Sequence, residues 1–161
     1  RSGTENVASI VGLGKAAAMM REGLEKDGHV EMRRLRDHFE DRLVEEIQGV
    51  LLNGSREHRA GNIVHASFES CEAAGLLILL DEAGVQCSAG SACMTGKQQP
   101  SHVQKAMGFS DDRAKSSLRI SLSILTTREE VDQAVEAVKK AVAKLRSVQG
   151  GGVGPVVIYG S

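Results

Sequence analysis

At 161 residues the chain has the length of one ordinary domain, enough to close a core of its own. Its 41 % hydrophobic and 25 % charged content is that of a globular protein, and a formal net charge of -1 leaves no electrostatic reason to expect nucleic acid or an anionic membrane as partner. The longest apolar run, Ala73 to Leu80, contains a glycine and stops at Asp81, which makes it a buried helix rather than a membrane span.

Thr4 stands where a helix N-cap is expected, and after it Val7, Ile10, Val11, Gly14, Ala17, Ala18 and Leu24 recur at helical spacing until Asp27-Gly28. A second helix follows, with Leu35, Phe39, Leu43 and Ile47 four apart and Arg, Asp and Glu on the opposite face. Gly49 to Gly54 reads as a short strand closed by a turn, and Ser55 to Gly61 as a polar loop. From Asn62 to Phe68 the chain alternates, with Val64, Ala66 and Phe68 on one face and Ile63, His65 and Ser67 on the other. Glu72 to Ala83 is a helix stopped by Gly84, and Val85 to Cys87 a brief strand.

Past a loop that runs to about Gln99, Pro100-Ser101 opens a helix in which Ser101 and Gln104 have capping-box spacing and which Gly108 ends. Ser117 to Ser123 alternates again, Leu118, Ile120 and Leu122 inward against Ser117, Arg119, Ser121 and Ser123. Thr127 and Glu130 form a second capping box, opening a helix that buries Val131, Val135, Val138, Val142 and Leu145. The tail from Gly150 carries no helix signal. This order suits an α+β layout, a small antiparallel or mixed sheet with helices on one side and its second face open to another domain.

The loop reads Cys87-Ser88-Ala89-Gly90-Ser91-Ala92-Cys93-Met94-Thr95-Gly96. Its small residues offer nothing to anchor it, so Cys93 is expected to be exposed and able to travel, as a sulfur carrier or a nucleophile must. Cys71 and Cys87 lie in apolar sequence and read as core thiols. Three cysteines cannot all pair, and their spacing fits no zinc pattern, which points to the reducing cytoplasm and to no metal site.

"GSAC" followed by Pro100-Ser101-His102-Val103 and Ala106-Met107-Gly108 resembles the C-terminal part of the cysteine desulfurases of the NifS/IscS type, pyridoxal-phosphate enzymes of aminotransferase class V. "RSGTENVASIVGLGKA" at residue 1, "NGSREHRAGNIVHASF" from Asn53 and "SSLRISLSILTTREEVD" from Ser116 are similar to three further family segments in the same order. Gly61 stands where the family pattern usually has proline, and Met94, Gln99 and Ile124 also depart from its commoner residues.

The resemblance implies the small domain of a fold-type I pyridoxal-phosphate enzyme over residues 1–149, incomplete at its N-terminus, with a Gly-rich tail over 150–161. It also implies roles. Cys93 would be the catalytic nucleophile that takes sulfur from L-cysteine, leaving L-alanine and an enzyme persulfide. Arg119 would clamp the substrate α-carboxylate, a task suited to the planar guanidinium. Thr4 would contact the phosphate of a pyridoxal phosphate bound by the neighbouring subunit of a homodimer, in addition to any capping role. His58, Arg59 and Asn62 read as structural, and His102 as a helix-surface residue.

No lysine lies in the family's cofactor-lysine context, so most of the cofactor site is expected upstream, and a start at Arg1 rather than Met suggests a piece of a longer chain that is inactive alone. The sulfur acceptor would be an iron–sulfur scaffold or another carrier protein. Two alternatives stay open: a free-standing sulfur-carrier or interaction module without cofactor chemistry, and a selenocysteine lyase-like enzyme.

Overall fold

The structure, a computed structural model, describes residues 3–26, 28–89 and 100–150. It contains α1 (Val7–Glu25), α2 (Gly28–Glu46), β1 (Val50–Leu52), β2 (Ile63–Phe68), α3 (Ala73–Glu82), β3 (Ser88–Ala89), α4 (His102–Ala106), α5 (Asp111–Lys115), β4 (Ser117–Ser121) and α6 (Arg128–Gly150). The four strands form one antiparallel sheet in the order β1-β2-β4-β3. The fold is α+β, as the alternating and helical patterns predict.

The core lies between one sheet face and the long helices α2, α3 and α6. Val64, Ala66 and Phe68 of β2 and Leu118 and Ile120 of β4 bury against Leu35, Phe39, Leu43 and Ile47 of α2 and Val131, Val135, Val138 and Val142 of α6. With few aromatic side chains available, this aliphatic interdigitation carries most of the packing. Gly75 lets α3 approach α6 closely, since a Cβ there would sit 2.8 Å from Leu145 Cδ1. The capping box at the start of α6 is present in both directions: Glu130 N–H donates to Thr127 Oγ1 (3.2 Å), and Thr127 N–H donates to Glu130 Oε2 (2.8 Å).

Several expectations change. Asn6, not Thr4, caps α1, its side chain accepting from the Ser9 N–H at 3.2 Å. None of the α1 residues is buried, so the apolar stripe from Val7 to Leu24 is left facing outward, with α2 as its main neighbour. The strand expected at Val85 to Cys87 forms one step later, at Ser88–Ala89. Helix α5 was not foreseen; Ser110 starts it by accepting from the Arg113 N–H.

Helices α2, α3 and α6 cover one face of the sheet, and the short α4 and α5 lie on the other, where Gln104 meets His65 and Arg113 meets Asn53. The loop from Ser55 to Gly61 is tied to α2. Arg59 reaches Glu40 with both Nη atoms, and Arg36 donates to the Ala60 carbonyl at 3.0 Å. Glu40 is 0 % exposed, so this ion pair closes the loop over the helix from inside the protein. The expected structural role of Arg59 follows from it, as does that of Asn62, whose Nδ2 donates to the Leu122 carbonyl.

Candidate active site

The outward sheet face carries the polar members of each alternating strand. Cross-strand register sets Arg119 of β4 directly between His65 of β2 and Ser88 of β3. On one side of this row, Asn53, Ser67 and Ser117 form a buried hydrogen-bonded cluster: Asn53 Nδ2 donates to Ser67 Oγ at 2.8 Å, and the two hydroxyls lie 2.8 Å apart. Arg113 of α5 locks that cluster, donating from Nε and Nη2 to Asn53 Oδ1 (3.1 and 2.8 Å), with its guanidinium 4.0 Å from the Phe109 ring centre. Arg113 is therefore a structural cation.

Arg119 differs from it. The residue is half-buried, and its guanidinium has no hydrogen-bond or ion-pair partner among the described residues. A guanidinium left uncommitted has its donors available to an anion, and the geometry of its fork matches a carboxylate. His65 beside it is half-buried. Burial first, then the Arg119 and Arg113 charges, push its pKa down, so the imidazole is held neutral.

Gln104 does not complete the capping box expected with Ser101, which makes no side-chain cap bond. Instead it turns inward, 2 % exposed, with Nε2 3.1 Å from His65 Nε2. Neither His65 nor Gln104 stands out in the sequence as a site residue. The outward phase of His65 was legible, but only the β2–β4 register puts it opposite Arg119.

Thr4 is exposed in the segment before α1 and makes no cap contact. Cys93 and the tail beyond Gly150 lie outside the described residues. The short strand β3 ends at Ala89, opposite Leu118, so the chain enters the Cys93 segment from the Arg119 row. Cys71 is buried in the core, as expected, and Cys87 is half-buried against it. Burial, and then Asp81, push the Cys87 thiol up to about 11, which leaves it protonated and inert. His102 is exposed on α4, as expected.

The aminotransferase class-V model matches residues 1–134. The chain belongs to the aminotransferase class-V family. Curated relatives of this class-V chain include an IscS-like cysteine desulfurase from Mycobacterium tuberculosis, 45 % identical over 148 residues, covering 91 % of this chain and 37 % of the relative. The cysteine desulfurase NifS of Azotobacter vinelandii is 39 % identical over 158 residues, covering 97 % of this chain and 39 % of that protein. Among solved structures, a NifS-like protein from Rickettsia africae superposes with a TM-score of 0.76 at 29 % identity, over 89 % of this chain and 36 % of that one. The chain thus spans a little over a third of the length of the relatives it matches.

Class-V aminotransferases and NifS-like desulfurases are in general pyridoxal-phosphate enzymes. The residues described here fit a contributing role toward that cofactor and not the principal one. Every described lysine is exposed, so none sits in the enclosed pocket an imine-forming amine needs. What the class-V chain offers among its described residues is Arg119, an arginine without a partner there, and the exposed hydroxyl of Thr4. Among the described residues no group of three or more His, Cys, Asp or Glu is placed to hold a metal ion, and no helix is long and apolar enough to cross a membrane.

Proposed function

We propose that this chain is the small-domain portion, residues 1–149 with a Gly-rich tail at 150–161, of a cysteine desulfurase that takes sulfur from L-cysteine and carries it as a persulfide on Cys93. The single observation that carries this reading is Arg119: an arginine without a partner among the described residues, on a shielded sheet face, beside the strand that leads into the Cys93 segment. It supplies a fork for the α-carboxylate of an amino acid. Cys93 stands four positions after Ala89, a reach of at most about 14 Å along an extended chain. A thiol on that tether can visit a substrate held at Arg119 and then turn outward to an acceptor.

When bound, pyridoxal phosphate supplies the electron sink that loosens the substrate's carbon–sulfur bond. The Cys93 thiolate attacks the substrate sulfur, a sulfur–sulfur bond forms as the carbon–sulfur bond breaks, and the carbon fragment takes a proton to become L-alanine. Thr4, at the head of α1, contributes a hydroxyl to the cofactor phosphate of a neighbouring subunit, which makes the enzyme a homodimer. The persulfide passes to an iron–sulfur scaffold or another sulfur-acceptor protein. Free Cys71 and Cys87 suit a reducing, cytoplasmic setting.

The test is Arg119→Ala in the complete polypeptide that carries this chain. Loss of the fork is expected to raise KM for L-cysteine by two to three orders of magnitude, of the order of removing a charge-assisted bidentate contact, while the cofactor absorbance band stays. An unchanged KM would overturn the reading.

A further inference from the structure

The outward sheet face holds a second donor that the reading above does not use. Gln104 presents its amide nitrogen to His65 Nε2 at 3.1 Å. An amide nitrogen only donates, so Nε2 of the imidazole accepts, and the proton of the neutral ring lies on Nδ1. Nδ1 has no hydrogen-bond partner among the described residues, and His65 as a whole is half-buried. Across the strand pair stands Arg119, equally uncommitted. Opposed side chains on one face of an antiparallel pair lie about 5 Å apart at Cβ, so both reach the same anion.

The buttress itself carries a cost that structure alone does not repay. Gln104 Oε1 is buried without a hydrogen-bond partner among the described residues, and an unpaired buried amide oxygen is unfavourable. A leucine or methionine would fill the position beneath α4 without that loss. Gln104 is therefore suited to holding the imidazole in one tautomer, beyond filling space. The neutral state of the ring agrees with this, since burial and the two neighbouring arginines oppose a second proton.

We propose that His65, with its tautomer fixed by Gln104, is a second binding residue for the substrate carboxylate, its Nδ1–H donating to one oxygen while the Arg119 fork takes the anion's charge. The proposal rests on the reading of Arg119 as the carboxylate clamp. It makes the site a three-residue device on β2, β4 and α4, in which α4 sets the chemistry of a strand residue it covers. A single arginine can grip a carboxylate in several poses; a second donor from a different strand selects one.

The experiment compares KM and kcat for L-cysteine in the complete polypeptide bearing His65→Ala, His65→Asn, His65→Gln, Arg119→Ala and Arg119→Lys, and the pair His65→Ala with Arg119→Lys. Asn places an N–H where Nδ1–H stands, whereas Gln places one where Nε2 stands. His65→Ala is expected to raise KM about tenfold with kcat within about twofold, the size of one lost hydrogen bond to a charged group. His65→Asn is expected to restore most of the loss and His65→Gln little of it. Because both donors serve one carboxylate, the paired variant should depart from the product of its single losses.

Rescue by Gln and not by Asn would assign His65 to holding α4 and overturn the proposal. So would an unchanged KM in His65→Ala, a loss confined to kcat, failure of both rescues, or losses that simply multiply with Arg119→Lys. An unchanged KM in Arg119→Ala overturns the underlying clamp instead, so the two failures are told apart.

Discussion

The buried pair between Glu40 and Arg59 gives the sharpest stability prediction. Glu40 is fully buried on α2, and its two carboxylate oxygens meet both Nη atoms of Arg59, whose side chain is 13 % exposed. Arg56 adds a weaker approach at 3.9 Å. Glu40→Ala removes the acceptor and leaves a nearly buried guanidinium without its counter-charge, while Arg59 Nε already has no partner among the described residues. Stranding one member of a buried pair costs roughly 3–5 kcal/mol, a large fraction of the 5–15 kcal/mol that holds a typical domain together.

For a chain of this size that is a fall in Tm of roughly 10 °C, read by circular dichroism, with a matching fall in the urea midpoint at an unchanged slope. Replacing both residues at once, Glu40→Met with Arg59→Met, should recover most of the loss, because an apolar pair of similar volume needs no desolvation of charge. A Glu40→Ala loss below about 1 kcal/mol would refute the argument, since it would put the pair in the range of solvent-exposed ion pairs.

Glu46 should shape the acid limb of stability. Its carboxyl is held down to about 2, first by the hydrogen bond from Arg42 (2.6 Å) and then by that from Lys139 (2.9 Å). A folded value below the unfolded one means stability that is present above about 4.5 and is lost as pH falls toward 2. Glu46→Gln should therefore flatten the stability–pH curve in that window and leave it unchanged in shape near neutrality. Thiol alkylation followed by peptide mapping at pH 8 should label Cys93 first. Cys87, held near 11, has on the order of one thiolate in a thousand there, and Cys71 is buried, so rapid labelling of either would contradict the packing described. Thr127→Ala, which removes one half of the α6 capping box, should cost about 1 kcal/mol in denaturant unfolding.

Strong periodic signals carried much of the fold into the sequence. Leu35, Phe39, Leu43 and Ile47, the β2 and β4 alternations, and the Thr127–Glu130 cap are all found where local chemistry puts them. The failures also have local causes. Asn6 and Thr4 are both good caps, and the competition between them is decided by the entry of the chain into α1. Helix α5 is five residues long, too short for any apolar period to show.

The apolar stripe of α1 is a real sequence feature with no core to meet in this chain, which spans a little over a third of its relatives' length. The site was half legible. Arg119 announced itself by its motif and its outward phase, but Gln104 looked like a capping residue, and only the sheet register revealed that it faces His65. Pairing between strands separated by α3 and two short helices leaves no trace in the spacing of either strand.

The central claim is that sulfur from the substrate comes to rest on Cys93. It is tested most directly by mixing the complete polypeptide, loaded with its cofactor, with L-cysteine and mapping the peptides by mass spectrometry without reductant. The account predicts one added sulfur atom on the peptide holding Cys93, released by thiol reductant and formed together with L-alanine. L-alanine produced while Cys93 gains no sulfur, or produced at an undiminished rate by Cys93→Ala, would contradict it.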